Sequence, residues 1–446
     1  MPRPSRPGSG VRAEIRRLAL PLAAGGLISV LAQTLIVMAL GRAGDTELYL
    51  RSLYMPVAFG FAAVCEGIGI ATQVAAARAH GRGDRDQEAH LGAGFLLLGA
   101  VWMTIAVCAL LVCAPLVADV MDVSADQSGR FESFLRWTAL ANIVRIVPVV
   151  GAGILRGRGR AGMATVVTGA AATTEVAVVA GLAGAAGLGV FSVPWAILAE
   201  AAVGACLLLA MGRRSLPPSL RAHPDVRSAA SLLARVGLPV AASFGLLSSF
   251  SLAALWVLAP LGAHLQAAYS TAYTVQMLVI VPTIALGSAT AIVMNHRIGS
   301  GRHQELRAAF RAGAQLTLLW YTVVALIIWA AAGPLARIVS GASTVAPLVE
   351  RYLELIGPTL PLLCLVLMAL TVLEQLGEGS LALTLNIVYF ATVICLGAAL
   401  VEPGGAHDTF FWIIVGANVV GAPVVVPLTV WRVRLIGAKE LGTCER

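Results

Sequence analysis

Runs of about 20 apolar residues, each closed by charge, glycine or proline, recur along the whole chain. Twelve are long enough to cross a hydrocarbon core as helices: 18–41, 52–77, 94–118, 133–155, 162–184, 191–212, 236–259, 267–295, 312–333, 352–373, 380–400 and 409–431. No segment alternates with strand period for long enough to build a barrel. The stretch 236–296 contains no Asp, Glu, Lys or Arg. The pattern predicts an all-α integral membrane protein and excludes a soluble enzyme.

Composition agrees. Of 446 residues, 58% are hydrophobic and 12% charged, with a mean hydropathy of +0.86. An ordinary soluble domain carries about 25% charged residues. The net charge of +8 sets orientation, not nucleic-acid binding. With twelve spans, 24 Lys and Arg fall on the side of both termini and 6 on the other, Arg136 at the start of the fourth span among them, with Arg145 at that span's centre. The positive-inside rule then places both termini in the cytoplasm of a multi-pass cell-membrane protein. The basic start lacks a small-residue cleavage site and reads as a retained tail. Six of the seven cysteines fall in apolar segments and read as small buried hydrophobes, with no ligand spacing for a metal.

The chain repeats itself. Pro21 and Pro239, in "LALPLA" and "VGLPVA", lie 218 residues apart, and Gly44/Gly262, Gly69/Gly287, Gly81/Gly299 and Gly83/Gly301 keep that offset. Further on, "LRGRG" at 155–159 is matched to "EQLGEG" at an offset of 220. Six helices per repeat give both halves the same topology, so the repeat is parallel, about an axis along the membrane normal. The expected organisation is a tail at 1–17, an N-terminal lobe at 18–212, a linker at 213–235, a C-terminal lobe at 236–433 and a tail at 434–446, with a cavity between two six-helix bundles.

With "GRAG" at 41–44, "HGRGDRDQE" at 80–88, "LRGRGRAG" at 155–162, "GLGV" at 187–190, "RVGLP" at 235–239 and "YLELIGPTLP" at 352–361, the chain resembles the multidrug and toxic compound extrusion (MATE) transporters. Their superfamily, the multidrug/oligosaccharidyl-lipid/polysaccharide flippases, also holds lipid-linked oligosaccharide flippases. The resemblance covers nearly all of 15–433. It implies export of amphipathic or cationic compounds against H⁺ or Na⁺ entry, and a first helix that flexes at Pro21. It also shows departures. Family members commonly carry an Asp late in helix 1, where this chain has Ile36, or an acid in helix 7, where it has Leu247, Ser248 and Ser249. The usual Asn and Asp of helix 5 fall near Glu175 and Val179.

Four ionisable residues lie within about 3 Å of their predicted helix midpoints: Glu66, Arg145, Glu175 and Glu200. A charge at mid-bilayer costs at least about 2.5–3.5 kcal/mol, so they need one another or a wet cavity. All four sit in the N-terminal lobe. Glu175, Glu66 and Glu200 are the candidate proton or cation-coupling groups and Arg145 their charge partner; a static ion pair that merely joins helices is the competing reading. Tyr54, Trp256 and Tyr273 are candidate substrate contacts through their aromatic faces.

The expected function is therefore H⁺-coupled antiport of a small organic substrate by alternating access, in a monomer held in the lipid bilayer. No cofactor is expected beyond the coupling ion, H⁺ or Na⁺. A lipid or glycolipid flippase is the alternative within transport, and a membrane-embedded acid–base enzyme the alternative outside it. "GRGRAG" at 157–162 matches a dinucleotide-binding pattern but has no strand before it. The loop "HGRGDRDQEAH" at 80–90 reads as a solvated charge run, not a metal site.

Overall fold

Backbone amides inside a hydrocarbon core have no water to bond, so each apolar run satisfies them internally as helix. The computed structural model describes residues 7–121, 123–215, 223–341, 344–402, 405–406 and 408–443. Its twelve membrane-length helices are α1 (Gly10–Ala43), α2 (Asp45–Arg82), α3 (Arg85–Val120), α4 (Ala125–Gly157), α5 (Ala161–Gly184), α6 (Gly189–Met211), α7 (Val226–Leu261), α8 (Ala263–Gly299), α9 (His303–Ala330), α10 (Ala346–Leu376), α11 (Gly379–Leu400) and α12 (Thr409–Ala438). A short helix, Ala332–Ser340, follows α9. No strand occurs among the described residues. Pro217, Pro218 and Arg221 of the expected linker lie outside them.

The chain divides into two units, Ala24–Ala241 and Met1–Ala23 with Ala242–Arg446. Their limits fall inside helices, whereas the sequence reading places lobe limits in the 213–235 linker. Residues of α1 up to Ala23 pack with the second repeat, and residues of α7 up to Ala241 pack with the first. The two crossing points are themselves 218 residues apart, each two residues beyond the paired prolines Pro21 and Pro239.

The repeat is also visible in the backbone. Gly44 and Gly262 (φ +150° and +97°), Gly83 and Gly301 (φ +73° and +72°), and Gly159 and Gly377 (φ +74° and +96°) close equivalent helices in conformations that side chains resist. The third pair corrects the sequence reading. Gly159 N–H bonds Arg156 O and Arg160 N–H bonds Leu155 O, while Gly377 N–H bonds Glu374 O and Glu378 N–H bonds Leu373 O. The offset is 218 here too, not 220, so the repeat partner of Glu175 is Val393.

In the 24–241 unit, Ile36, Leu40, Tyr54, Phe134, Leu135, Val179 and Ile197 form one apolar core. Close helix contact depends on glycine: a Cβ on Gly157 of α4 would stand 2.5 Å from Gln73 O of α2. In the other unit the core encloses several aromatic rings, with Tyr269, Tyr321, Tyr352, Phe410 and Phe411 fully buried. Two smaller expectations fail. Glu88 is not solvated but buried, bonded to Arg158 Nε and Nη2 at 2.6 and 2.9 Å. Cys108, Cys113, Cys206 and Cys395 are exposed on their helices, because a span facing lipid has no need to bury a small apolar side chain.

Candidate functional site

Helix α4 is not regular throughout. Pro148 has no N–H to give Val144, and the turn just before it, Ile143–Arg145, tightens into a 3₁₀ segment. Arg145 sits on that segment. Its Nη2 lies 3.0 Å from Glu200 Oε2 of α6 and donates to Glu200 Oε1 at 3.3 Å, while Nη1 reaches Asn142 Oδ1 at 3.4 Å. Glu200 Oε2 is buried, close to the guanidinium yet without an aligned donor.

Glu175, on α5, is 7% exposed and within electrostatic reach of Glu200, Arg145 and Arg51. Its hydrogen bond comes from Gln33 Nε2 of α1 at 3.5 Å, the longest length such a bond takes. Gln33 Oε1 in turn accepts from Arg51 Nη2 of α2 at 3.0 Å. Arg51 lies over the Tyr54 ring, 5.4 Å from its centroid, and its Nε is buried without a partner. One polar chain thus runs Glu175–Gln33–Arg51 beside the pair Arg145–Glu200, drawing on α1, α2, α4, α5 and α6 within a single unit.

Of the residues singled out by sequence, Arg145, Glu175 and Glu200 come together here. Glu66 is half-buried on α2 and makes no ion pair among the described residues. Tyr54 is enclosed, edge-on to Phe134 at 5.2 Å. Trp256 is 68% exposed on α7, and Tyr273 stacks on Tyr269 at 5.8 Å with its hydroxyl unpartnered. Pro21 lies inside α1. Ile36, aligned with the family's helix-1 Asp, is sealed in apolar core.

Sequence reasoning missed Arg51 and Gln33. It placed Arg51 outside the spans, yet Arg51 is only 4% exposed. It also missed Glu374 on α10. That carboxylate is buried in the other unit, where Ser243 Oγ donates to it at 2.7 Å and Asn386 Nδ2 donates to Ser243 Oγ at 3.3 Å. A second buried polar contact in that unit is uncharged: Tyr389 donates to Asn418 Oδ1 at 2.7 Å and Asn418 Nδ2 to Thr359 Oγ1 at 2.9 Å. The 218 offset sets Asn418 opposite Glu200.

The MatE family profile matches the chain twice, over 21–181 and 239–399, the two matches being displaced by the same 218 residues. Among solved structures, a MATE protein crystallised in complex with MaD5 is similar at a TM-score of 0.88 and 20% identity, over 97% of this chain and 99% of that one. An outward-facing multidrug resistance MATE family transporter of the MOP superfamily gives 0.87 at 21% identity over 97% and 99%. A MOP superfamily transporter from Pyrococcus furiosus gives 0.84 at 21% over the same shares. At these identities the likeness establishes the fold. No curated protein matches the chain.

Proposed function

The chain belongs to the MatE family of membrane transporters, and from that premise we propose that it exports amphipathic or cationic organic compounds in exchange for protons, by alternating access. Membership in a transporter family sets the enzyme alternative aside. The observation that carries the reading is the buried cluster of Glu175, Glu200, Arg145 and Arg51 in one unit. Such charges are expensive inside a bilayer and mark transport pathways by default.

Glu175 is the group on which the proposal turns. Charged, it has one long amide donor and, with Glu200, offsets the two guanidiniums, so its oxygens can meet a cation that the cluster does not repel. Protonated, it loses that capacity and can itself donate to Gln33. Proton binding and cation binding therefore oppose each other at one carboxylate, which is the differential interaction that exchange requires. A proton suits the site better than Na⁺. Na⁺ needs several free oxygen ligands, whereas the oxygens here face guanidinium and amide donors. No cofactor enters the proposal.

The distribution of basic residues supports both termini in the cytoplasm, and the proposed working form is a monomer. A flippase of the same superfamily is the second reading, and Arg51 favours it: the site holds two arginines, Arg51 and Arg145, instead of the single one expected. Efflux of cationic dyes from proteoliposomes under separate pH and Na⁺ gradients tests the proposal. Dye movement driven by the pH gradient alone supports it. Movement under the Na⁺ gradient alone, or scrambling of labelled anionic lipid without dye movement, contradicts it.

A further inference from the structure

On the membrane face that carries both termini, half of the arginines near the end of α8, the start of α9 and the end of α12 meet carboxylates. Arg297 pairs with Glu305 and Glu14, Arg302 with Glu305, and Arg432 on α12 with Glu378. Arg307, Arg311 and Arg434 do not. All three are exposed, none has a carboxylate partner among the described residues, and Arg307 feels the like charge of both others. The backbone brings them together: a Cβ on Gly437 of α12 would stand 3.4 Å from His303 O at the start of α9. Arg12 of α1 joins the group, donating to Gln315 on the next turn of α9 after Arg311.

An uncompensated cluster of like charge is self-repulsive, so its retention needs a reason beyond orientation. Orientation itself does not require it, because at the 218 offset the first repeat has Ala89 and Ala93 where the second has Arg307 and Arg311. Depth supplies the reason. Arg307, Arg311 and Gln315 follow one another at four-residue spacing on a single face of α9, and the stripe continues through the exposed Leu319 and Val323. On α12, the exposed Trp431 lies one turn before Arg434, with the exposed Val424 and Val420 deeper along the helix. Tryptophan settles at headgroup depth. A basic cluster therefore sits at headgroup level directly above two apolar helix stripes.

We propose that Arg307, Arg311 and Arg434, with Arg12 beside them, bind the headgroup phosphate of an anionic phospholipid whose acyl chains lie along α9 and α12. Guanidinium forks match phosphate oxygens in pairs, and a negative headgroup removes the repulsion within the cluster. The site is independent of transport and of which face is cytoplasmic.

The test is lipid retention by the purified full-length chain in detergent, read by native mass spectrometry. Phosphatidylglycerol and phosphatidylcholine of matched chains are compared, with inorganic phosphate as the free anion. Wild type is expected to hold phosphatidylglycerol in preference to phosphatidylcholine and to bind phosphate alone far more weakly. Each arginine near a charged headgroup contributes about fivefold in affinity, so R307A/R311A loses about twenty-five-fold for phosphatidylglycerol with phosphatidylcholine unchanged. R82A/R85A removes the same charge from exposed positions in the other unit and retains the preference. R307K/R311K, which keeps the charge without the fork, falls between and serves if the alanine variant does not fold. Equal retention of the two lipids by wild type, equal loss in R82A/R85A, an unaffected R307A/R311A, or phosphate binding as well as lipid would each overturn the proposal.

Discussion

Removing one partner of the Arg145–Glu200 pair should not cost the same from both sides. Glu200→Leu leaves a guanidinium that stays charged at any working pH, with Asn142 Oδ1 at 3.4 Å as its hydrogen-bond acceptor and Glu175 within electrostatic reach but not paired to it. Arg145→Met leaves a carboxylate, which can neutralise itself by taking up a proton. Breaking a fully buried pair costs about 3–5 kcal/mol. Here the side chains are 26% and 18% exposed, which places Glu200→Leu near the bottom of that range, about 3 kcal/mol, and Arg145→Met at about 1–2 kcal/mol. The double variant removes both charges and should lose about 1 kcal/mol, so the cycle carries a coupling of about 3 kcal/mol. At about 2–4 °C per kcal/mol for a unit of this size, Glu200→Leu lowers the melting midpoint in detergent by about 6–12 °C, and the double variant recovers most of it. An Arg145→Met loss as large as that of Glu200→Leu would refute the reasoning, as would additive effects in the double variant.

Other consequences concern the helices that hold the site. Pro21→Ala restores a backbone hydrogen bond in α1; if bending there is part of the cycle, the melting midpoint holds or rises while turnover falls about tenfold, the effect of about 1.4 kcal/mol on a barrier. Gly157→Ala sets a methyl against the α2 backbone, 2.5 Å from Gln73 O, and should cost about 1–3 kcal/mol; Gly162→Ala, with nothing within 4 Å, should be neutral in the same melt. Asp225 caps α7 by accepting from Ser228 N–H at 3.1 Å, and that bond holds its carboxyl below the usual value of 3.8. Its contribution, about 1 kcal/mol, is therefore present at neutral pH and is lost as pH falls through the depressed folded value, below about 4. The melting difference between wild type and Asp225→Ala should close over that range.

Much of the architecture was legible because lipid imposes a simple rule. Apolar length alone predicts twelve spans, and paired glycines reveal the repeat because a left-handed helix end tolerates little else. The two missed charges share one cause. The predicted spans begin at 52 and end at 373, and the two charges missed, Arg51 and Glu374, lie one residue outside those limits. A hydropathy reading stops a helix at a charge, so a charge buried near a helix end is taken for loop. Gln33 carried no signal at all: a lone amide in an apolar run becomes informative only when Arg51 and Glu175 are seen on either side of it. The offset slipped to 220 because a glycine-rich segment aligns in several registers, and only the hydrogen bonds that close α4 and α10 choose among them.

The central claim is that Glu175 exchanges a proton for a cationic substrate. The most direct measurement is efflux of a cationic dye from proteoliposomes under a pH gradient, wild type against Glu175→Gln, with equal amounts of folded protein. The account predicts pH-driven efflux by wild type and its loss in Glu175→Gln, whose amide keeps the bond to Gln33 but cannot take up a proton. Efflux by Glu175→Gln that still follows the pH gradient at the wild-type rate would contradict it.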